Sequence, residues 1–273
     1  ILTCWAKTTR KVIEAAYPEL KVIVRYGIGL DNIDVDFATG QHVPVLNVPT
    51  YCVVDVAEHT LGYILALSRK IAFFDRRVRQ GSWNIQEALP LRRLKGKRLG
   101  LIGLGNIGKE VARRAQAFGM EVCAYTPKLT PERAREVGAL ALSLDELLST
   151  ADFISLHLPL TPQNTGMIGQ DQLRRMKPTA FLINTSRGKL IDEEALYQAL
   201  TGGVIAGAAL DVRIQEPPAA GDRLLQLENI LHTPHASFFS RESIEELQEQ
   251  AALEARRVLS GQAPLNLVNP GYR

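Results

Sequence analysis

Short apolar runs alternate with amphipathic stretches along the chain, and their spacing predicts the elements. Residues 8–16 read as a helix and 20–25 as a strand. Residues 43–48 form a second apolar strand, closed by Pro49. A long helix is expected over 55–74, with apolar positions at Val56, Leu61, Ile64, Leu65 and Leu67. From residue 97 onward the alternation becomes regular. Strands are expected at 99–102, 121–125, 153–157, 180–184, 204–209 and 230–232. Helices are expected at 107–118, 131–137, 192–200 and 241–260, with a short helical turn at 145–148. Strands separated by helices imply an α/β protein with a mostly parallel sheet covered by helices. The charged face of the last helix, including Glu246, Glu254 and Arg257, reads as surface, and 264–269 as an extended segment that packs on the fold.

Composition narrows the classes. The 273 residues are 46% hydrophobic and 22% charged, enough for a core and a polar surface. The net charge of +3 is too small to argue for a nucleic-acid partner. No apolar run is long enough to span a bilayer. Cys4, Cys52 and Cys123 lack metal-ligand spacing, so no metal is expected, and their scarcity fits a reducing, cytoplasmic setting. Arginines and lysines at 76–79 and 92–98 read as a solvated or subunit-contact surface.

Two regions carry chemistry. Gly103-Leu104-Gly105-Asn106-Ile107-Gly108 follows a strand and opens a helix. In such a turn the first glycine allows the bend, the second clears space for a pyrophosphate, and the third lets helix and strand approach. The amides of Asn106 and Ile107 at the helix start would face the phosphates. After the next strand, Thr126 stands where an acidic residue commonly holds the adenine ribose. NAD is the expected cofactor. NADP stays open, because no carboxylate repels a 2′-phosphate there and Lys128 is near. His157, beside Leu158 and Pro159, is placed in the lining of the cofactor site, with Thr185 and Ser186.

Arg187, directly after the 180–184 strand, can hold a carboxylate with two hydrogen bonds. His235 can exchange a proton near neutral pH, and Glu216, 19 residues earlier, can orient it. Together with a dinucleotide turn they describe hydride transfer to a small acid. Of the other histidines, His42 is expected exposed, His59 packed or capping, and His232 packed.

These residues resemble the D-isomer-specific 2-hydroxyacid dehydrogenase family. The resemblance rests on the glycine turn, on Asn184-Thr185-Ser186-Arg187-Gly188, on Leu210-Asp211-Val212 leading to Glu216-Pro217, and on Thr233-Pro234-His235. It points to the branch with C-terminal-binding-protein corepressors and phosphoglycerate dehydrogenases. The resemblance implies a Rossmann-type doubly wound domain at 49–238 inserted into a smaller flavodoxin-like substrate domain at 1–48 and 239–273. It also implies that a strand and helix precede Ile1, leaving the substrate domain truncated. Arg187, Glu216 and His235 match the catalytic trio, and Asp211 the contact to the nicotinamide carboxamide. Ile28 and Gly29 match the loop at the substrate carboxylate, and Phe238 an apolar wall facing the substrate. A homodimer through the nucleotide domain, with an arm at 75–94, is implied as well. The expected reaction interconverts a 2-oxo acid and a D-2-hydroxy acid. The alternatives are 3-phosphoglycerate oxidation and a cofactor-gated, corepressor-like interaction protein.

Overall fold

The computed structural model describes residues 1–88 and 90–272; Leu89, within the expected arm, and Arg273 lie outside the described residues. The chain divides into two compact units, one of residues 1–52 and 239–273, the other of residues 53–238.

The smaller unit opens with β1 (Leu2–Thr3), α1 (Arg10–Ala16), β2 (Ile23–Arg25), α2 (Val35–Gly40) and β3 (Val45–Leu46). The strands are parallel in the order β1-β2-β3. Ile13 from α1 and Ala38 from α2 join Ile23 and Val45 in its core. Asp34 starts α2 by accepting the Phe37 N–H at 3.1 Å, which satisfies one of the free amides of a first turn.

The larger unit begins with α3 (Val53–Arg69) and α4 (Ile71–Arg79). The single helix expected over 55–74 is therefore two. Lys70 adopts φ 51°, which interrupts the ladder. The burial pattern changes at the same point. In α3, Leu61, Ile64 and Leu67 are buried, whereas α4 buries no residue at all.

The chain then runs β4 (Arg98–Ile102), α5 (Asn106–Ala117), β5 (Glu121–Tyr125), α6 (Pro131–Arg135), β6 (Leu140–Ala141), α7 (Leu144–Thr150) and β7 (Phe153–Leu156). It continues with α8 (Gln170–Arg175), β8 (Phe181–Asn184), α9 (Glu193–Thr201), β9 (Gly207–Leu210) and β10 (Ile230–His232). All seven strands are parallel, in the order β10-β9-β8-β7-β4-β5-β6. The sheet is buried on both faces, so side chains alternate between two cores. Ile102, Ile154 and Leu182 enter one, and Leu99, Leu101, Phe153 and Ile183 the other. Each such aliphatic side chain contributes about 2 kcal/mol. The direction of strand addition reverses between β4 and β7. Ligands of doubly wound sheets bind at the carboxyl end of that point.

The chain returns to the smaller unit through α10 (Arg241–Leu259), which Ser240 caps by accepting the Ser243 N–H at 2.9 Å. Glu254 is not surface, as its helix face implies, but 2% exposed. Its carboxylate accepts the Leu265 and Asn266 amides at 3.0 and 3.4 Å. The tail it holds pairs with the edge of β3, where the Val268 N–H donates to the Val45 carbonyl at 2.9 Å.

Candidate active site

The glycine turn follows β4 at the reversal point. Gly103 has φ 109°, and a Cβ there would lie 2.3 Å from the His157 carbonyl oxygen. Gly108 is equally constrained, with an added Cβ 2.4 Å from the Gly103 oxygen. Gly105 differs. It has ordinary backbone angles, and a Cβ there would meet nothing within 4 Å. The open space lies at the start of α5, whose first amides have no intrahelical acceptor. Space and donors together fit a dinucleotide pyrophosphate. Asn106 is exposed and Ile107 half-buried at this end.

His157 lies beneath the turn. Its Nε2 meets Ser155 Oγ at 2.9 Å, and its Nδ1 is buried with no hydrogen-bond partner among the described residues. Burial lowers its pKa to about 4, so the ring is neutral and packs the turn. Leu158 is half-buried and Pro159 exposed beside it. Thr126 is the first residue past β5, half-buried, with its carbonyl accepting the Leu129 N–H at 3.1 Å to close a turn. Lys128 is exposed within that turn.

The other predicted residues of this unit sit on the loops after β8, β9 and β10, at the same carboxyl edge. Asn184 shapes the first loop: its Nδ2 donates to the Arg187 carbonyl at 2.8 Å, and its Oδ1 accepts the Ser186 N–H at 3.0 Å. Ser186 Oγ donates to Leu156 at 2.6 Å, and buried Thr185 meets Thr60 at 3.3 Å. Arg187 is half-buried, with Nη1 donating to the Ser186 carbonyl at 2.7 Å. Gly188 is required because a Cβ would fall 2.0 Å from the Arg213 carbonyl carbon. The Arg187 loop therefore presses on the segment that carries Glu216.

Glu216 Oε2 accepts from His235 Nδ1 at 2.7 Å, and its Oε1 accepts the Arg213 N–H at 2.8 Å. Burial opposes ionisation of Glu216 most strongly. The hydrogen bonds from His235 and Arg213 outweigh it and hold the carboxyl below its usual range. With Nδ1 on Glu216, the other ring nitrogen of His235 is Nε2, an atom that can give or take a proton near neutral pH. His235 itself has φ 53°, a left-handed conformation that bulky residues rarely adopt. Phe238 packs edge-on against its ring, with centroids 6.0 Å apart.

Asp211 explains how that backbone is held. Its carboxylate accepts from the Thr233 hydroxyl, from the Ala236 N–H at 2.8 Å and from the Ser237 N–H at 2.9 Å. Its carbonyl takes the His235 N–H at 2.8 Å. Thr233 spends its one proton on Asp211, so Tyr63 and His59 donate to the Thr233 oxygen. His59 is thus neither simply packed nor capping its own helix: it bonds across to Thr233. It braces the 233–237 loop from α3, and burial, only partly offset by Asp211, keeps it neutral. Burial pushes the Tyr63 hydroxyl up as well.

Ile28 and Gly29 belong to the smaller unit, in the turn after β2. The Ile28 carbonyl accepts from Asn47 Nδ2 at 2.9 Å, and that of Gly29 from Arg25 Nε at 3.0 Å. His42 is exposed as expected, with Nδ1 2.8 Å from the Tyr272 carbonyl. His232 is half-buried, and burial lowers its pKa. No cluster of three or more His, Cys, Asp or Glu suited to a metal exists among the described residues. Among them, no helix is long and apolar enough to cross a membrane.

Residues 61–237 match the family model for the D-isomer specific 2-hydroxyacid dehydrogenase NAD binding domain. The chain is 43% identical over 263 residues to a glyoxylate reductase of Korarchaeum cryptofilum, covering 95% of this chain and 79% of that protein. It is 43% identical over 264 residues to a D-3-phosphoglycerate dehydrogenase of Methanocaldococcus jannaschii, covering 96% of this chain but 50% of that protein. Among solved structures it is similar to the D-lactate dehydrogenase of Aquifex aeolicus complexed with NAD and lactic acid. That similarity has a TM-score of 0.90 and 32% identity, over 98% of this chain and 86% of the other. The chain belongs to the D-isomer specific 2-hydroxyacid dehydrogenase family, NAD(P)-dependent oxidoreductases of 2-oxo and 2-hydroxy acids.

Proposed function

We propose that this protein reduces a small 2-oxo acid with an apolar substituent to the D-2-hydroxy acid. The observation that carries the reading is the 2.7 Å bond between Glu216 and His235 beside the Arg187 loop. Arg187 holds the substrate carboxylate by its guanidinium, which sets the orientation of the adjacent carbonyl. His235 Nε2 donates a proton to the carbonyl oxygen as negative charge develops there. Glu216 fixes the ring through Nδ1 and stabilises the protonated form. Asp211 holds the backbone of residues 233–237 so that the ring stays in place, and is also the candidate contact for a nicotinamide carboxamide. Phe238 supplies an apolar surface against the substrate side chain. For Ile28 and Gly29 as carboxylate contacts, the support is the resemblance alone.

A dinucleotide would be held by Gly103, Gly105, Asn106, Ile107 and Gly108, with Thr126, His157–Pro159, Thr185 and Ser186 around it, and when bound it supplies the hydride. NAD is the proposed cofactor. Thr126 and Lys128 leave room for NADP. The smaller unit, with helices alternating between parallel β1, β2 and β3, is proposed as the flavodoxin-like substrate domain. Two copies are proposed to pair through the nucleotide unit. The support is the arm, where Trp83 is 89% and Ile85 69% exposed.

The test follows reduced-nicotinamide absorbance with glyoxylate, pyruvate, phenylpyruvate and 4-methylthio-2-oxobutyrate, each with NADH and NADPH. 3-Phosphoglycerate is assayed in the oxidising direction. Turnover of an apolar 2-oxo acid that collapses in His235→Asn supports the reading. Turnover confined to 3-phosphoglycerate, or cofactor binding with no turnover on any acid, overturns it.

A further inference from the structure

Between β9 and β10 the chain makes a long excursion that carries Glu216 and has no strand of its own. What anchors it is a buried ionic clamp. Arg213 is 7% exposed in its side chain. Its Nε and Nη2 donate to the two carboxylate oxygens of Glu193 at 2.9 and 3.0 Å, a two-pronged pairing. The same Nη2 donates to Asp222 at 2.8 Å. Glu193 Oε1 also accepts the Ile214 N–H at 2.8 Å. Glu193 stands in the first turn of α9, so the clamp ties the excursion to the helix. Asp222 ties its far end back to its near end.

The residue between these anchors and the histidine is Arg213 itself, whose backbone N–H holds Glu216 Oε1 while Oε2 holds His235. Side chain and main chain of one residue thus act in opposite directions, one fastening the loop and the other aiming the carboxylate. We propose that Arg213 is a positioning residue, whose buried fork on Glu193 and Asp222 fixes the main-chain donor that sets Glu216 against His235. The proposal rests on the reading of Glu216 and His235 as the proton-handling pair.

The consequence is kinetic. Without the guanidinium, the Glu193 and Asp222 carboxylates lose their shared partner, and the excursion loses its tie to α9. Glu216 then keeps its neighbours His235 and Asp211 but loses a fixed N–H donor. A carboxylate short of a donor ionises less readily, so the acid limb of the rate profile moves to higher pH. Substrate carboxylate binding by Arg187 is affected less than the proton step. A small displacement of a proton donor lowers turnover by about tenfold to a hundredfold.

The experiment compares Arg213→Met, Arg213→Lys and Asp222→Asn with the parent enzyme. Circular dichroism and dinucleotide Kd serve as checks that each variant is folded. Arg213→Met is expected to lower kcat far more than it changes KM and to move the acid limb upward. Arg213→Lys restores part of kcat, because a single charge survives without the fork. Asp222→Asn gives a smaller change in the same direction. Folded Arg213→Met with parental kcat and acid limb overturns the proposal. Should Arg213→Met not fold, parental kcat and acid limb in both Arg213→Lys and Asp222→Asn overturn it equally. Glu216→Gln separates the two levels. If Glu216→Gln leaves kcat and the acid limb unchanged, the proton-pair reading fails. If it changes both while the Arg213 and Asp222 variants do not, the positioning role alone fails.

Discussion

At the end of β4 the turn of Gly103, Gly105 and Gly108 is built from main chain, and its shape depends on atoms that are not there. At the ends of β8, β9 and β10 the loops are built from carboxylates, amides and hydroxyls that bond across long stretches of chain. Both regions lie on one edge of one sheet. The first is tolerant of what surrounds it and intolerant of any added carbon. The second depends on partners, so its failure modes are lost hydrogen bonds and stranded charges. The turn is therefore expected to fail sterically and the loops electrostatically.

The largest effect that sharpens this contrast is on turnover. His235→Asn is expected to lower kcat by about a hundredfold to ten-thousandfold, the usual worth of a general acid, with dinucleotide Kd unchanged. A comparable loss of cofactor affinity would mean that the two halves are not separable.

The glycines give the next test. Gly188→Ala places a carbon 2.0 Å from the Arg213 main chain, and Gly103→Ala combines a 2.3 Å approach with φ 109°. Each is expected to destabilise the fold by about 3 kcal/mol or more, read by urea unfolding. Gly105→Ala, with nothing within 4 Å, should leave stability within about 0.5 kcal/mol. Its effect should appear instead as at least a tenfold weaker dinucleotide Kd, about 1.4 kcal/mol. Equal behaviour of Gly103→Ala and Gly105→Ala would break the distinction between a turn glycine and a clearance glycine.

On the electrostatic side, Asp211→Asn converts an acceptor-only group into one with two donors facing amide N–H groups. A loss of about 2 kcal/mol is expected, together with a fall in kcat, since the loop holding His235 slackens. Unchanged kcat in a destabilised protein would show that Asp211 supports the fold without supporting the ring.

A smaller, pH-dependent effect belongs to His157. Its folded pKa of about 4 lies below the 6.5 of an unfolded histidine. Between these values the unfolded chain binds the extra proton, so stability is full above about pH 6.5 and falls as pH drops toward 4. Between pH 7 and pH 5 this costs about 1–2 kcal/mol. His157→Asn should flatten that part of the curve, and an unchanged slope would remove His157 from the account.

The smallest effect is on cofactor choice. Thr126→Asp should shift preference toward NADH by about tenfold, from repulsion of a 2′-phosphate and a bond to the ribose. No shift would mean that Thr126 does not face the ribose.

The same contrast explains what could be read from sequence. The placement of the glycine turn, Arg187, Glu216 and His235 on loops at the carboxyl edge of the sheet was legible, because each of their motifs lies in a loop that follows an apolar strand. Arg213 was not, since nothing local announces a partner 20 residues away, and neither was His59, which is 174 residues from Thr233. Burial decided other points. Glu254 sits among charged neighbours in sequence, yet its carboxylate is consumed by the tail. The apolar pattern of 55–74 continues past Lys70, yet one helix becomes two there, because the left-handed backbone of Lys70 breaks the ladder and a period of apolar residues does not report such a break. The two-residue strands β1 and β6 are too short to carry a period of their own.

The tail that pairs with β3 has one more consequence, for the order of events during synthesis. β3 receives its neighbour at Val268, and β2 is packed by α10, so the smaller unit draws its parts from both sides of the larger one. Residues 1–52 leave the ribosome before 53–238 do, so their β3 edge stays unpaired until the segment around Val268 has emerged. The 53–238 unit is contiguous and can mature in the meantime.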